Sequence, residues 1–313
     1  MEAIKISVVI PVYNSEECLL RLIQELTEAL VVFNEYEIIL VNDKSKDKSW
    51  EKIVQVCSTN NFVTGVNFRK NFGQDNAIMA GLQIARGEYI VIMDDDLQHS
   101  PSDIIKLYSK CREGFDICYG SFKKKKQKAW KNIGSWVNGK LSEKLLQKPA
   151  NIYLSPFKVI TKGIADEVLK YSGPFPYIDA TLLTITSNIT QTEVDHHPRH
   201  KGKGNFDLVK STLVFIKHAT NYSIYPLRMV SVLGFVIALL SFILGILYLV
   251  EYFFNSQRIE GWITIVILVI FFGGMILMSL GLIGEYIGRI FLSINKKPQF
   301  TIEQIIGNKK INN

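Results

Sequence analysis

The chain has 313 residues, of which 48% are hydrophobic, and it carries a formal net charge of +7. This hydrophobic fraction is higher than a soluble enzyme needs, so the composition argues against a wholly soluble protein. No nucleic-acid-binding motif accompanies the positive charge, which favours an anionic lipid bilayer as the partner and no nucleic acid. The four cysteines show no metal-binding or redox spacing, and we expect reduced thiols.

The first hundred residues alternate between strand and helix patterns. The apolar run KISVVIPVY is followed by leucines at helical spacing from Glu16 to about Val32, and then by the strand pattern YEIILVND. A helix near Ser49 to Cys57, a strand in FVTGVNF, a helix over Asn76 to Ala85 and the strand EYIVIM follow. These repeated β-α-β units predict an open, largely parallel sheet of the α/β class.

Polar residues cluster directly after three of these strands, in PVYNSEE, NDKSKD and DDDLQH. Since ligands of open parallel sheets bind at the carboxyl ends of the strands, we expect the three clusters to converge on one crevice. Asp94, Asp95 and Asp96 repel one another unless a cation, hydrogen-bond donors or solvent compensates them. They predict either a solvated acidic turn or a Mg²⁺ or Mn²⁺ site for a nucleotide diphosphate. P-loop and dinucleotide-binding glycine patterns are missing from the sequence.

A basic cluster begins at Lys123 and is followed by an amphipathic pattern near 129–147, where apolar residues recur every three or four positions between lysines. This pattern favours a helix that lies in the lipid headgroup layer. The alternative is a solvated basic loop followed by an ordinary packing helix. We expect a second interface helix near 207–221.

Two stretches without charged residues, Met229–Val250 and Trp262–Gly284, are long enough as helices to cross a hydrocarbon core of about 30 Å. Basic residues flank the pair on its outer sides, and Arg258 is the only basic residue of the loop between them. The segment MEAIKISVVIPVYN has no secretion-signal pattern. Gly284 and Gly288 have the GxxxG spacing of packed helices, so a homo-oligomer stays open.

These features predict a multi-pass protein of the inner (plasma) membrane with three parts. A cytoplasmic domain covers residues 1–225, two transmembrane helices with a short external loop cover 226–291, and a basic cytoplasmic tail covers 292–313. Both termini are expected on the cytoplasmic side.

The segments VVIPVYNSEE, IILVNDKSKDKSWE, RKNFGQDNAIMAGL and ARGEYIVIMDDDLQH and the closing pair of apolar stretches resemble, in this order, the family 2 glycosyltransferases of GT-A fold. Within that family the chain most resembles the polyisoprenyl-phosphate glycosyltransferases, the group of dolichol-phosphate mannose synthase and the bactoprenol glucosyltransferases. The resemblance covers residues 5 to about 100 strongly and 115 to 205 more weakly. It implies a GT-A nucleotide-sugar-binding domain with a Rossmann-like mixed sheet, followed by two C-terminal transmembrane helices.

The resemblance also implies roles for individual residues in binding the donor and a divalent ion. The residues implied around the nucleotide are Pro11, Tyr13 and Asn14 under the base, Asp43 at its imide edge, and Arg69, Asn71 and Gly73 after the third strand. Asp94 and Asp96 match the DxD pair that holds Mg²⁺ or Mn²⁺, with Gln98 as a ligand or a neighbour of one, whereas Asp95 is expected to face away.

Further positions match the family's acceptor side. Lys123 and Lys126 fall where relatives hold the lipid phosphate with arginines, and Arg199 and Lys203 match the segment that clamps the pyrophosphate. Asp179 is a candidate for orienting the sugar, the alternative being an ordinary carboxylate at a helix N-terminus.

Two departures from the family pattern concern the chemistry. Lys44 replaces the usual glycine of the second motif, where the family allows positive φ. The segment from Ser155 to Lys158 lacks a carboxylate that some relatives place near the acceptor. A general base is dispensable, because a lipid monophosphate has its second pKa at roughly 6 and is a dianionic nucleophile near neutral pH.

The expected function is metal-dependent, inverting transfer of a sugar from a nucleotide diphosphate sugar, expected to be UDP-linked, to a polyprenyl phosphate of undecaprenyl type. The catalytic contributions are expected from Asp96, Arg199 and Lys203. The open alternatives are a processive or other membrane glycosyltransferase and a non-catalytic membrane scaffold with a GT-A domain. A processive synthase is disfavoured because the chain has no QxxRW element.

Overall fold

A computed structural model describes residues 4–122, 149, 152–173, 175–195, 225–254, 261–295 and 298–307. The chain consists of two compact units, one formed by Met1–Asn205 together with Lys296–Asn313, and the other by Phe206–Asn295. The first unit contains the sheet predicted from the sequence.

The predicted alternation of strands and helices is confirmed in the first hundred residues. The elements are β1 (Ile6–Val12), α1 (Leu19–Leu30), β2 (Tyr36–Asn42), α2 (Ser49–Thr59), β3 (Val63–Phe68), α3 (Gln74–Ile84) and β4 (Tyr89–Ile92). After a short 3₁₀ turn at Pro101–Asp103 come α4 (Ile104–Cys111), β5 (Ile117–Phe122), β6 (Lys158–Thr161), α5 (Lys162–Leu169), α6 (Ile178–Ile185) and β7 (Ile189–Val194).

The strands form one mixed sheet in the order β7-β5-β6-β4-β1-β2-β3-β8, where β8 is Ile302–Gly307. Strands β4, β1, β2 and β3 are parallel to their neighbours in this group. Because β1 lies between β4 and β2, the chain leaves β1 towards one side of the sheet and later returns to its other side. Such a switch point opens a crevice at the carboxyl ends of the strands.

Both faces of the central strands are covered, which explains their continuous apolar runs. Val8 and Ile10 of β1 belong to a core cluster with residues of α1, whereas Val9 belongs to a second core cluster with residues of α3. Helix α3 packs very closely on β1 at Gly81, where an added Cβ would lie 2.3 Å from Cγ1 of Val9. This close packing places the N-terminal end of α3 beside the crevice.

Residues near the end of the chain complete the sheet, which corrects the expectation of a simple basic tail at 292–313. Strand β8 pairs antiparallel with β3, from Thr64 opposite Gly307 to Phe68 opposite Ile302. Half-buried Ile302, Ile305 and Ile306 explain why this segment joins the sheet, since their side chains pack against the two cores.

Both predicted apolar stretches are helical in the second unit, as α7 (Tyr225–Phe254) and α8 (Trp262–Ile294). Within the described residues, one helical stretch, Phe271–Ile294, is long and apolar enough to cross a membrane, and Val230–Leu244 is a shorter apolar helix. A second membrane span stays a prediction.

Candidate active site

The loops after β1, β2, β3 and β4 surround a crevice of about 340 Å³. Its lining residues are Pro11, Val12, Tyr13, Asp43, Asn71, Gly73, Gln74, Asp94, Asp95 and Asp96. The predicted convergence of polar clusters at one edge of the sheet is therefore confirmed. The volume lies within the range of small-molecule sites in proteins.

Asp43, directly after β2, holds the loop between β3 and α3 in place. Its two carboxylate oxygens accept hydrogen bonds from the backbone N–H groups of Phe72 (2.6 Å) and Gly73 (2.8 Å). Burial raises the pKa of Asp43, and these two hydrogen bonds oppose that rise. Each oxygen keeps a second lone pair, so the carboxylate can still accept a hydrogen bond from a ligand in the crevice.

The turn after Asp43 keeps the conformation that the family's glycine provides, although a lysine stands there. Lys44 has φ of 55°, in the left-handed region that residues with a Cβ rarely adopt. Its ammonium group donates to Oε2 of Glu303 in β8 over 2.8 Å. A positive φ is therefore present at position 44 although a lysine stands there.

The three adjacent carboxylates after β4 have different partners. Asp94 accepts a hydrogen bond from Nε2 of Gln74 (2.7 Å), and Oδ1 of Asp96 accepts one from the backbone N–H of Gln98 (3.1 Å). Asp95 was expected to face away, but it lines the crevice and accepts hydrogen bonds from Tyr13 N (3.1 Å) and Ser15 Oγ (2.5 Å). Asp95 thus connects the loop after β4 to the loop after β1.

The electrostatics of this triplet fit a divalent cation. Burial, followed by the neighbouring Asp96 and Asp95 carboxylates, raises the pKa of Asp94 to about 7, so a positive charge placed here would be stabilised. Among the described residues, no group of three His, Cys, Asp or Glu side chains could hold a metal ion. Mg²⁺ is commonly held by one or two carboxylates together with substrate phosphates and water, so Asp94 and Asp96 suffice as candidate ligands.

A buried charged group, which we name the Lys158 cluster, consists of Lys158, Tyr119, Asp179 and Asp75. The ammonium of Lys158 donates to Asp179, the Tyr119 hydroxyl donates to the same carboxylate over 2.9 Å, and the ammonium lies 5.2 Å from the centroid of the Tyr119 ring. The side chain of Lys158 is only 3% exposed. In the sheet Lys158 pairs with Ile92 at the end of β4, which places the cluster next to the acidic triplet.

Asp75, a member of the Lys158 cluster, has a raised pKa. Burial raises its pKa to about 6, the nearby Asp179 raises it as well, and the backbone N–H of Ile178 (3.2 Å) and the Lys158 ammonium oppose the rise. The folded chain therefore binds this proton more tightly than the unfolded chain does.

The Asp75→Asn variant should be more stable than the wild type at pH 7.5, lose about half of this advantage at pH 5 and lose all of it below pH 3.8. Because the pKa of Asp75 is raised from 3.8 to about 6 in the folded chain, its protonated form stabilises the fold relative to its ionised form. This stabilisation is fully present below pH 3.8 and is lost as the pH rises through about 6. The ionised form then destabilises the fold by up to about 3 kcal/mol, whereas asparagine avoids that charge. Thermal unfolding of the full chain at pH 7.5 and pH 5 measures the effect, and an equal shift at both would contradict it.

The structure brings most of the predicted nucleotide-site residues together. Asn14 and Arg69 lie beside the crevice rather than in its lining: Asn14 holds the loop after β2 through Lys46 N (2.8 Å), and Arg69 donates its backbone N–H to Thr301 O (3.0 Å). The backbone N–H of Gln98 donates to Asp96, which places Gln98 beside that carboxylate. The predicted Lys123, Lys126, Arg199 and Lys203 and the predicted interface helices near 129–147 and 207–221 lie outside the described residues.

Gln74, Lys158 and Glu303 were not predicted as site residues, and Asp95 was expected to face away. Gln74 lies in the segment RKNFGQDNAIMAGL, at the start of α3, so its position beside the crevice could have been predicted from that motif. Lys158 and Glu303 contact residues 21 and 259 positions away, respectively, and no local pattern reports such contacts.

Known proteins match this chain along most of its length. The family model described as Glycosyl transferase family 2 matches residues 7–169. An undecaprenyl-phosphate 4-deoxy-4-formamido-L-arabinose transferase of Proteus mirabilis is 31% identical, and the match covers 98% of this chain and 96% of that protein. A protein of the same name from Enterobacter sp. (strain 638) is 32% identical over 98% of this chain and 95% of its own length.

The sheet also resembles a solved structure. Glucosyl-3-phosphoglycerate synthase from Mycobacterium tuberculosis, crystallised in complex with Mn²⁺, uridine diphosphate and phosphoglyceric acid, superposes with a TM-score of 0.52. The match covers 69% of this chain and 76% of that one at 18% sequence identity. This likeness shows a GT-A-like mixed α/β fold.

Proposed function

The chain belongs to glycosyl transferase family 2, as its motifs predicted, and we propose that it transfers a sugar from a nucleotide diphosphate sugar to a polyprenyl phosphate. It is a glycosyltransferase. The proposed acceptor is an undecaprenyl-type phosphate at the cytoplasmic face of the inner membrane.

The choice of acceptor rests on one observation. The relatives named for undecaprenyl phosphate match 98% of this chain, and the match therefore includes the apolar helices α7 and α8 as well as the sheet. A chain that shared only the sheet would support sugar transfer but would say nothing of a lipid acceptor. Long apolar helices in the same chain as the sheet suit an acceptor that stays in a bilayer.

The crevice supports a nucleotide donor, which we propose to be UDP-linked. Pro11 and Tyr13 line the crevice, and so does the buried Asp43, whose two carboxylate oxygens each keep a lone pair for a ligand. A carboxylate in this position can accept the imide N–H of a uracil ring. The Asp43 clamp on Phe72 and Gly73 forms the crevice before a ligand arrives, which reduces the entropy lost on binding.

The acidic triplet is proposed to hold the diphosphate through Mg²⁺ or Mn²⁺, with Asp94 and Asp96 as ligands and Gln98 beside them. When bound, such an ion supplies positive charge to the departing diphosphate. Gln74 orients Asp94, and Asp95 orients the Tyr13 loop, so the chain itself arranges the surroundings of the phosphates.

The proposed reaction is a single displacement. A lipid phosphate oxygen forms a bond to the anomeric carbon from the face opposite the donor diphosphate, and the bond from that carbon to the diphosphate oxygen breaks. The nucleoside diphosphate leaves with the electron pair. Attack from the opposite face inverts the configuration, and no proton has to move because the attacking phosphate is a dianion. Arg199 and Lys203 are proposed to stabilise the departing charge, and Lys123 and Lys126 to hold the lipid phosphate.

The test is a transfer assay with membranes that contain the full chain. Undecaprenyl phosphate is incubated with a panel of radiolabelled nucleotide sugars, with and without EDTA, and label is counted in the organic phase. We expect label from one donor class, at one sugar per lipid, and loss of the signal with EDTA. A polymeric product would favour the processive alternative.

The control omits the acceptor lipid, and a related polyprenyl-phosphate glycosyltransferase serves as the positive control. Failure of every donor, in conditions where the positive control transfers its sugar, would overturn the proposal.

A further inference from the structure

The segment that follows the second long helix packs against the end of β3, just before the loop that lines the crevice with Asn71 and Gly73. Phe300 stacks on Phe68 at the end of β3, with ring centroids 5.2 Å apart, and Thr301 accepts the backbone hydrogen bond of Arg69. Strand β8 begins at the next residue, Ile302. The end of β3, where the Arg69 to Gly73 segment starts, is therefore supported by residues from the far end of the chain.

Glu303 is the polar contact point of this segment. Its Oε2 accepts hydrogen bonds from Nζ of Lys44 (2.8 Å) and from Nδ2 of Asn67 (3.1 Å). The Lys44 and Glu303 side chains are 45% and 40% exposed, so the ion pair by itself contributes little to stability.

The second contact of Glu303 starts a chain of hydrogen bonds that reaches the loop after β1. Oδ1 of Asn67 accepts from Nδ2 of Asn42 (2.7 Å), Oδ1 of Asn42 accepts from Oγ of Ser45 (2.6 Å), and Oγ of Ser45 accepts from the backbone N–H of Asn14 (3.0 Å). Asn42 and Asn67 are buried. Asn14 directly follows Tyr13, which lines the crevice.

Glu303 is the last acceptor of this chain. Backbone N–H groups set its direction: the N–H of Asn14 donates to Oγ of Ser45, and the N–H of Ser45 donates to Oδ1 of Asn42 (3.3 Å). Asn42 therefore turns its NH₂ group towards Asn67, and Asn67 turns its own NH₂ group towards Glu303. Without the carboxylate, the NH₂ group of buried Asn67 loses the acceptor that this arrangement requires, which destabilises the whole chain of hydrogen bonds.

We propose that Glu303 is a positioning residue for the donor: it accepts the last hydrogen bond of the Asn67–Asn42–Ser45–Asn14 chain and thereby holds the loops after β1 and β2 in place at the part of the crevice proposed for the nucleobase. The inference rests on the proposed function for the identity of the ligand, a nucleoside diphosphate. It adds that a residue beyond the apolar helices is required for full donor affinity.

The test compares Glu303→Ala with Gln304→Ala, a neighbouring exposed position on the same strand, in the full chain in detergent. Calorimetric titration with uridine diphosphate and Mg²⁺ should show an affinity about tenfold lower for Glu303→Ala and unchanged for Gln304→Ala. In the transfer assay, the KM for the donor should rise by a similar factor, while kcat and the KM for polyprenyl phosphate stay unchanged. A merely structural defect would lower kcat or the amount of folded protein instead.

Two further variants separate the ion pair from the hydrogen-bond chain. Lys44→Gly removes the ion pair but suits the left-handed turn, and it should retain uridine diphosphate affinity within about twofold. Asn67→Asp places a second carboxylate against Glu303 and should weaken binding as much as Glu303→Ala does. Equal uridine diphosphate affinity in Glu303→Ala and Gln304→Ala would overturn the inference.

Hydrogen exchange keeps this inference distinct from the proposed function. Amides of residues 43–46 should exchange faster in Glu303→Ala than in Gln304→Ala without any ligand. If the wild type binds neither uridine nor guanosine diphosphate, the proposed function fails, and unchanged exchange at residues 43–46 would reject the positioning role independently.

Discussion

The Asp96→Asn variant should lose sugar transfer by at least roughly 100-fold while the chain stays folded. Asp96 is one of two carboxylates proposed to hold the divalent ion, and asparagine keeps its size and its ability to accept the hydrogen bond from Gln98 N. What the substitution removes is a negative charge from a place where three carboxylates lie together. The transfer assay with saturating donor and Mg²⁺ measures the loss.

The same substitution should leave the melting temperature unchanged or raise it. The Asp96 carboxylate is the largest of the neighbouring charges that raise the pKa of Asp94, so removing it lowers the repulsion within the triplet. Asp166→Asn is the matched control, because Asp166 forms an exposed ion pair with Lys162 outside the crevice lining. Normal turnover by Asp96→Asn would contradict the assignment of the site.

The Lys158→Met variant should destabilise the chain by about 3–5 kcal/mol. Lys158 is almost fully buried, and its loss would leave the Asp179 carboxylate, among the residues that the structure describes, with the Tyr119 hydroxyl as its hydrogen-bond donor and without the compensating ammonium. The ammonium also offsets the raised pKa values of Asp75 and Asp94, so these carboxyls would become harder to ionise. For a domain of this size the melting temperature should fall on the order of 10 °C.

Thermal unfolding of the full chain in detergent measures this effect against two controls. Lys170→Met removes a lysine that is 70% exposed and paired with Glu167, and it should shift the melting temperature by no more than a few degrees. The double variant Lys158→Met/Asp179→Leu should recover most of the stability, because an apolar pair replaces a buried ion pair. A Lys158→Met protein that melts within 2 °C or so of the wild type would reject the buried-charge explanation.

The acidic triplet shows which features of the site could be predicted from the local sequence. A buried strand followed by three aspartates predicted a polar site at the end of β4, and the structure confirms that Asp94 and Asp96 line the crevice with Asp43. The partners of Asp94 and Asp95 were beyond prediction, because they come from the start of α3 and from the loop after β1. Position 44 is similar: the lysine marked a departure from the family, but its ion pair with Glu303 depends on a strand 259 residues later.

By itself, the sequence determined the order of strands and helices in the first hundred residues, the crevice at the carboxyl ends of β1, β2 and β4, and the family. These properties follow from hydrophobic periodicity and from motifs within short segments, where neighbouring residues set the backbone. Only the tertiary structure decided that β8 closes the sheet beside β3, that Lys158 is buried against Asp179, and that Asn67 connects Glu303 to Asn42. Those contacts join residues far apart in the chain, and their energies depend on burial and on hydrogen-bond direction, which exist only once the strands have packed.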